Sequence, residues 1–220
     1  MKSLPLSAIL RFLGWSVILV AGAYFIQKNV PPYFNFTPAS YGDYFWPRHT
    51  MLFLHICGGL VATVIGPFQF IQRIRKKNVK IHRFLGRTYL ISILLGSIAG
   101  MYMALHAGIN LAYKMGLAGL AFVWFTTSLM AYVSIRNRNI TLHREWMVRS
   151  YVVTFAFTTF RLVADLLANL NVSDEPTRLT LMAWACWSVP LFVTEVILQA
   201  GKIRRNRLRT LPQNEELNPV

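Results

Sequence analysis

Six apolar runs separated by polar segments divide the chain: 12–26, 50–71, 84–106, 111–135, 146–168 and 179–199. They hold 15 to 25 residues each, against the roughly 20 needed to cross a hydrocarbon core. Inside lipid every backbone group must be bonded within its own segment, so the pattern predicts membrane-spanning helices. The first run is the weakest and spans fully only if the apolar residues before Arg11 contribute. Its length and the Ala21-Gly22-Ala23 triplet also suit a cleaved signal peptide. Apolar character continues through Tyr24, Phe25 and Ile26, which favours a retained span.

Composition agrees with this division. The 220 residues are 55% hydrophobic with only 14% charged, yet Lys and Arg number 23 against 8 Asp and Glu, for a net charge of +15. Soluble domains carry roughly 25% charged residues. Disorder, a collagen-like fibre and a secreted disulfide scaffold are excluded. The two cysteines, Cys57 and Cys186, sit inside apolar runs and read as small hydrophobes.

The cations set an orientation. Arg73, Arg75, Lys76, Lys77, Lys80, Arg83 and Arg87 lie around the junction of the second and third runs. Arg136, Arg138, Arg144 and Arg149 lie between the fourth and fifth; Lys202, Arg204, Arg205, Arg207 and Arg209 follow the sixth; Lys2 and Arg11 precede the first. That places 18 cations on one side, against Lys28, Arg48, Lys114 and Arg178 on the other. The positive-inside rule then predicts a bacterial inner-membrane protein with both termini cytoplasmic. Residues 1–210 form one transmembrane domain, and the polar segment 211–220 reads as a disordered cytoplasmic tail. The outer loop 28–49 is rich in aromatics and prolines, and reads as an interfacial belt or as a lid over an outward-facing pocket.

An internal repeat organises the middle of the chain. Residues 74–83 (IRKKNVKIHR) align without gaps on 135–144 (IRNRNITLHR) at an offset of 61. Both copies continue to Arg, a hydroxyl residue and Tyr: Arg87-Thr88-Tyr89 and Arg149-Ser150-Tyr151, with one residue inserted in the second. The predicted fold is an all-α integral membrane bundle of six helices. Its four-helix core is a duplicated hairpin, 50–107 and 111–168, flanked by the spans 12–26 and 179–199. Parallel repeats of this kind are related by a pseudo-two-fold axis along the membrane normal.

Such an axis sets His82 and His143 at equal depth. Histidines on facing helices of a bundle can hold a haem iron, whereas a His-Arg pair at a helix start can equally be an anchor to anionic lipid. On the fifth run, His143, Met147, Ser150, Thr154, Thr158, Arg161 and Asp165 fall within about 80° at 100° per residue. Arg161 is 18 residues beyond His143, about 27 Å along the axis. An Arg at such depth usually faces the bundle interior, and Asp165, one turn on, is its expected partner. The stripe reads as a structural ion pair or as a surface for an anion such as a propionate, a quinone oxygen or a substrate carboxylate. Glu195 lies near the basic end of the sixth run, where Arg144, Arg149 or His82 are its candidate partners. His55 and His106, at similar depth near the outer end, form a candidate outer haem or metal site. Small-residue ladders at Gly58, Ala62 and Gly66, and at Gly96, Gly100, Ala104 and Gly108, read as close helix contacts.

No phosphate-binding glycine loop, HExxH or GxSxG motif is present. The basic segments follow topology and are too short to fold as a nucleic-acid module, so nucleic acid is excluded as a partner. The stretches His55–Gly59, Gly66–Phe70, His82–Tyr89 and His143–Tyr151 resemble DUF2306, a family of uncharacterised predicted bacterial multi-pass membrane proteins, over roughly residues 50–165. The resemblance implies a multi-pass membrane protein. A looser architectural similarity links the chain to di-haem transmembrane cytochromes, which use histidine pairs in a four-helix core.

The leading expectation is a membrane redox protein. In it His82 and His143, with His55 and His106 as an outer pair, hold haem b or contact a quinone, and no metal beyond a haem iron is expected. Arg161 or the inner arginines would neutralise anionic groups. Its partners would be the bilayer and either a second copy of the chain or a membrane redox protein. The alternatives are a non-redox transporter or small-ligand-binding protein, whose stripe of Ser150, Thr154, Thr158, Arg161 and Asp165 with Arg144, Arg149 and Glu195 binds the ligand, and a membrane assembly factor.

Overall fold

The computed structural model describes residues 6–210, and the expectations for Lys2 and the tail 211–220 lie outside them. The order is α1 (Leu6–Asn29), a 3-10 turn (Pro31–Asn35), α2 (Pro38–Phe45), a second 3-10 turn (Trp46–Arg48), α3 (His49–Phe70) and α4 (Gln72–Lys77). Then come α5 (Val79–Leu105), α6 (Leu111–Arg136), α7 (Ile140–Thr154), α8 (Ala156–Asn169) and α9 (Glu175–Thr210). There is no strand among the described residues. Five segments are long and apolar enough to cross a membrane: Pro38–Phe70, Val79–Leu105, Leu111–Arg136, Ile140–Asn169 and Glu175–Arg207. The protein is therefore a multi-pass helical membrane protein; α1 is not among those five.

Large apolar side chains cover the outside as well as filling a core around Tyr89, Ile93 and Trp124. Phe84, Ile91, Phe122, Phe192 and Ile197 lie on the outside, while Ser128, Ser150 and Thr158 are buried. Lipid solvates the apolar side chains, so close approach and internal hydrogen bonding hold the helices together. The most extensive packing is α3 on α5, then α6 on α7, with α5 against α6 joining the two hairpins; α9 lies along α6, α7 and α8. At the α3–α5 crossing a Cβ on Gly58 would stand 2.6 Å from the Ser92 carbonyl oxygen and 2.8 Å from the Gly96 Cα. Only glycine lets the two backbones meet there.

The repeated motif starts two helices in the same register. Asn78 and Asn139 are the N-cap residues of α5 and α7, and the backbone N–H of His82 and of His143 donates to the carbonyl of that asparagine at 3.0 and 2.9 Å. The two loops that lead to these helices differ. The first folds into α4, whereas the second turns through Arg138 at φ 58° before the Asn139 side chain caps Leu142 N–H at 3.0 Å.

The fifth apolar run, expected as one helix, is broken at Phe155, whose N–H is shared between the carbonyls of Tyr151 and Val152. The hydroxyls of Thr154 and Thr159 donate back to the carbonyls of Ser150 and Phe155, a competition that bends helices. The aromatic loop packs as a compact cap. Tyr41 is buried among Tyr33, Phe36, Trp46 and His49, and Phe34 and Phe36 rest on Phe53 of α3. Tyr44 Oη donates to the His106 carbonyl at 2.7 Å, tying the cap to the end of α5.

Candidate functional site

The basic end of the bundle gathers most of the candidate polar residues. His143 is half-buried, and its Nδ1 bonds the Ala131 carbonyl of α6 at 2.8 Å. A carbonyl only accepts, so Nδ1 carries a proton, and in the neutral ring Nε2 is the nitrogen with the lone pair. His82 lies within electrostatic reach of His143, and its own Nδ1 is buried without a hydrogen-bond partner. Beside it, the Gln69 amide faces Gly86, one turn above His82 on α5, and Gln69 Nε2 is likewise buried and unbonded. Buried polar atoms without partners are uncommon, and an unseen water or ligand is a usual reason. The basic ends of α3, α5 and α7 thus contribute one amide and two imidazoles, with Gln69 Nε2 and His82 Nδ1 buried and unbonded.

A second polar group lies between α7 and α9. Arg149 donates through Nε at 2.8 Å, and also through Nη2, to Glu195 Oε2, and lies 4.7 Å above the Trp146 ring. Glu145 pairs with Lys202 at 2.7 Å and lies 3.8 Å from Arg149. Of the partners expected for Glu195, the structure selects Arg149; Arg144 is exposed. The Trp146 indole N–H is a third buried, unbonded donor.

Above these, mid-bundle, Tyr89 Oη shares hydrogen bonds with Ser150 Oγ at 2.9 Å and Thr154 Oγ1 at 3.2 Å. Trp124 Nε1 donates to Thr154 Oγ1 at 2.9 Å, and Ser128 Oγ bonds Ser150 Oγ at 2.8 Å. Tyr89 and Ser150 stand 61 residues apart, the same offset as His82 and His143. Sequence reasoning did not single out Tyr89, Trp124, Ser128, Gln69, Glu145 or Trp146 as site residues. After the one-residue insertion Tyr89 corresponds to Tyr151 and Ser150 to Thr88, so the repeat gave no signal for this contact.

The stripe on the fifth run divides. Ser150 and Thr158 are buried, and Thr154 is consumed by the hydroxyl network. Arg161 and Asp165 lie outside the core, and Asp165 pairs with Lys28 of α1 at 2.9 Å rather than with Arg161. Thr158, beyond the interruption at Phe155, still faces the interior, so the stripe parts from the core only over its last turns, at Arg161 and Asp165. Arg161 instead lies near the Phe160 ring, at 6.0 Å.

The two outer histidines are not brought face to face. His55 Nδ1 bonds the Gly96 carbonyl at 2.8 Å, and its ring is framed by Trp124 and Phe157. Gly100 gives the ring room, since a Cβ there would lie 2.7 Å from His55 Nδ1. His106 lies six residues beyond Gly100, about 9 Å farther along α5. There it is exposed, with its ring tilted against that of Tyr102 at 4.3 Å, and bonded through Nδ1 to the Tyr102 carbonyl. No cluster of three or more His, Cys, Asp or Glu side chains suited to a metal occurs among the described residues.

The family of predicted membrane proteins DUF2306 matches residues 52–198, and the chain belongs to that family. Neither the curated proteins nor the solved structures include a match to the chain.

Proposed function

We propose that this chain is a six-span protein of the bacterial inner membrane, with both termini cytoplasmic, that binds haem b or a quinone at its basic end and takes part in electron transfer. The observation that carries the proposal is that His82 and His143 occupy matching positions at the starts of α5 and α7, within electrostatic reach of each other. One has its tautomer set by the Ala131 carbonyl, and the other has a buried, unbonded Nδ1. Histidines that ligate metal characteristically donate their other ring N–H to a carbonyl or carboxylate, as His143 does. The donor set fits either group: two imidazoles for a haem iron, or imidazole and the Gln69 amide for a quinone oxygen. Bound there, either group would supply electron transfer, by one electron at haem iron and up to two at a quinone. The chain's own part is to orient His143, to keep the Nδ1 of the half-buried His82 out of water, and to offer the exposed Arg83 and Arg144 to anionic substituents.

Orientation rests on the 18 cations at one end. A retained sixth span is supported by α1, whose 24 residues reach about 36 Å. Trp15 of α1 packs on Phe70 and Tyr151, a Cβ on Gly22 would lie 3.2 Å from the Phe155 ring, and Phe12, Val17 and Val20 point outward. The duplication is supported by the shared helix register. The transporter reading has less support, because internal hydrogen bonds absorb the hydroxyls that would line a path.

The test is the absorption spectrum of protein purified in detergent from haem-replete cells, together with a quinone-binding titration. A Soret band lost in His82→Ala and His143→Ala, with helicity retained, is the result expected for haem. Colourless protein eliminates haem, and colourless protein that also binds no quinone overturns the proposal.

A further inference from the structure

A groove of about 280 Å³ runs between α5 and α6 on the outside of the bundle. Leu90, Ile91 and Leu94 form one wall and Phe125, Leu129 and Tyr132 the other, with Ile93 and Ser128 beneath. The spacing repeats with the helical turn on both walls, so each wall is a continuous ridge. Both ridges end in arginine at the basic end. On α5 the line from Leu94 through Leu90 and Ile91 reaches Arg87 and then Arg83; on α6 the line from Phe125 through Leu129 and Tyr132 reaches Arg136. Arg136 lies 5.9 Å from the centre of the Tyr132 ring, and all three arginines are exposed. None of the three has a carboxylate partner among the described residues.

An apolar trough with guanidinium groups at one end complements a molecule with a chain and an anionic head. We infer that the α5–α6 groove is a binding site for an anionic phospholipid, with one acyl chain along the trough and the phosphate at Arg87 and Arg136. Guanidinium forks match phosphate oxygens with paired hydrogen bonds. The chain gives the site a registry that scattered surface cations lack. The α7–α9 side shows what happens where a protein carboxylate serves instead: Arg149 is covered by Glu195, and no lipid is needed. This inference is independent of any cofactor at His82 and His143.

The test is native mass spectrometry of the purified full chain with phosphatidylglycerol, phosphatidylcholine of the same acyl chains, or inorganic phosphate. Wild-type protein should retain phosphatidylglycerol in preference to phosphatidylcholine. The double variant Arg87→Gln/Arg136→Gln should lower that preference by about fivefold per arginine. Leu129→Trp, which fills the trough without removing charge, should lower retention of phosphatidylglycerol itself. Removing two exposed cations elsewhere, in Arg204→Gln/Arg205→Gln, should leave both quantities unchanged. Any one of four outcomes overturns the site: equal retention of the two lipids, a preference unchanged in the Arg87/Arg136 variant, an equal loss in the Arg204/Arg205 variant, or retention unchanged in Leu129→Trp. Inorganic phosphate that competes as well as the lipid also overturns it, because the chain would then contribute nothing.

Discussion

The two hairpins share a motif and differ in what surrounds it. In the α3–α5 hairpin Arg87 is exposed to the membrane side of the bundle; in the α6–α7 hairpin Arg149 is only 8% exposed and bonded to Glu195. Two causes separate them. The residue inserted before Arg149 turns it by 100° relative to the histidine that starts the helix. In addition, α9 packs along the second hairpin and carries Glu195 and Lys202 to the place where Arg149 and Glu145 face it. A repeated sequence therefore specifies the same helix start twice, but the neighbour decides whether the next arginine is a buried ion-pair partner or a surface cation.

The largest expected contrast lies between two glycines at the repeat offset, Gly58 and Gly119. A Cβ on Gly58 meets backbone atoms of α5, whereas on Gly119 it meets only the Trp187 ring, at 3.3 Å. Gly58→Val should cost about 3 kcal/mol or prevent assembly. Gly119→Ala should cost well under that; thermal denaturation in detergent measures both, and equal losses would contradict the close α3–α5 crossing. Next comes the arginine contrast. Glu195→Gln removes the charge opposite Arg149 and should cost about 2 kcal/mol, while Arg87→Gln should change stability by less than about 0.5 kcal/mol. If the two variants melted alike, α9 would not be what distinguishes the hairpins.

A smaller effect is expected at the tyrosines. Tyr89→Phe removes two hydroxyl partners and should cost about 1 kcal/mol. Tyr151→Phe loses one 3.3 Å bond to the Thr63 carbonyl and should cost less. The reverse order in urea titrations would place the polar node elsewhere.

The smallest effect concerns Asp174, which begins the helix that only the second hairpin has against it. Hydrogen bonds from Thr177 hold its carboxyl below the ordinary carboxylate value. Its contribution is therefore present above the ordinary value and is lost as pH falls through the lowered one. Amide exchange in the first turn of α9 should accelerate over that acid range in the wild type, and should lose this acid dependence in Asp174→Asn.

Much of the fold was legible in the chain. Five of the six apolar runs correspond to segments long and apolar enough to span, and the His-Arg motifs mark helix starts in matching register. The candidate site was legible in part. The repeat brought out His82 and His143, and depth placed Glu195 with the inner arginines. Gln69 and Trp146 carry no pattern of their own, because one amide or indole among apolar residues looks like an interfacial side chain until its neighbours are known. The ion pair of Lys28 with Asp165 spans 137 positions, and no local periodicity reports such a contact.

By itself the sequence determined where the chain meets lipid, since hydrocarbon admits only segments that satisfy their own backbone, and their average polarity can be read in one dimension. It also marked the two helix starts, because the repeated motif is local, although only Asn139 of the two N-cap asparagines caps through its side chain. Tertiary structure alone decided that Arg149 is covered and Arg87 open, that Arg161 leaves the interior, and that Tyr89 reaches Ser150. Each depends on helix rotation and neighbours. One inserted residue shifts those by 100° while hardly changing the apolar pattern.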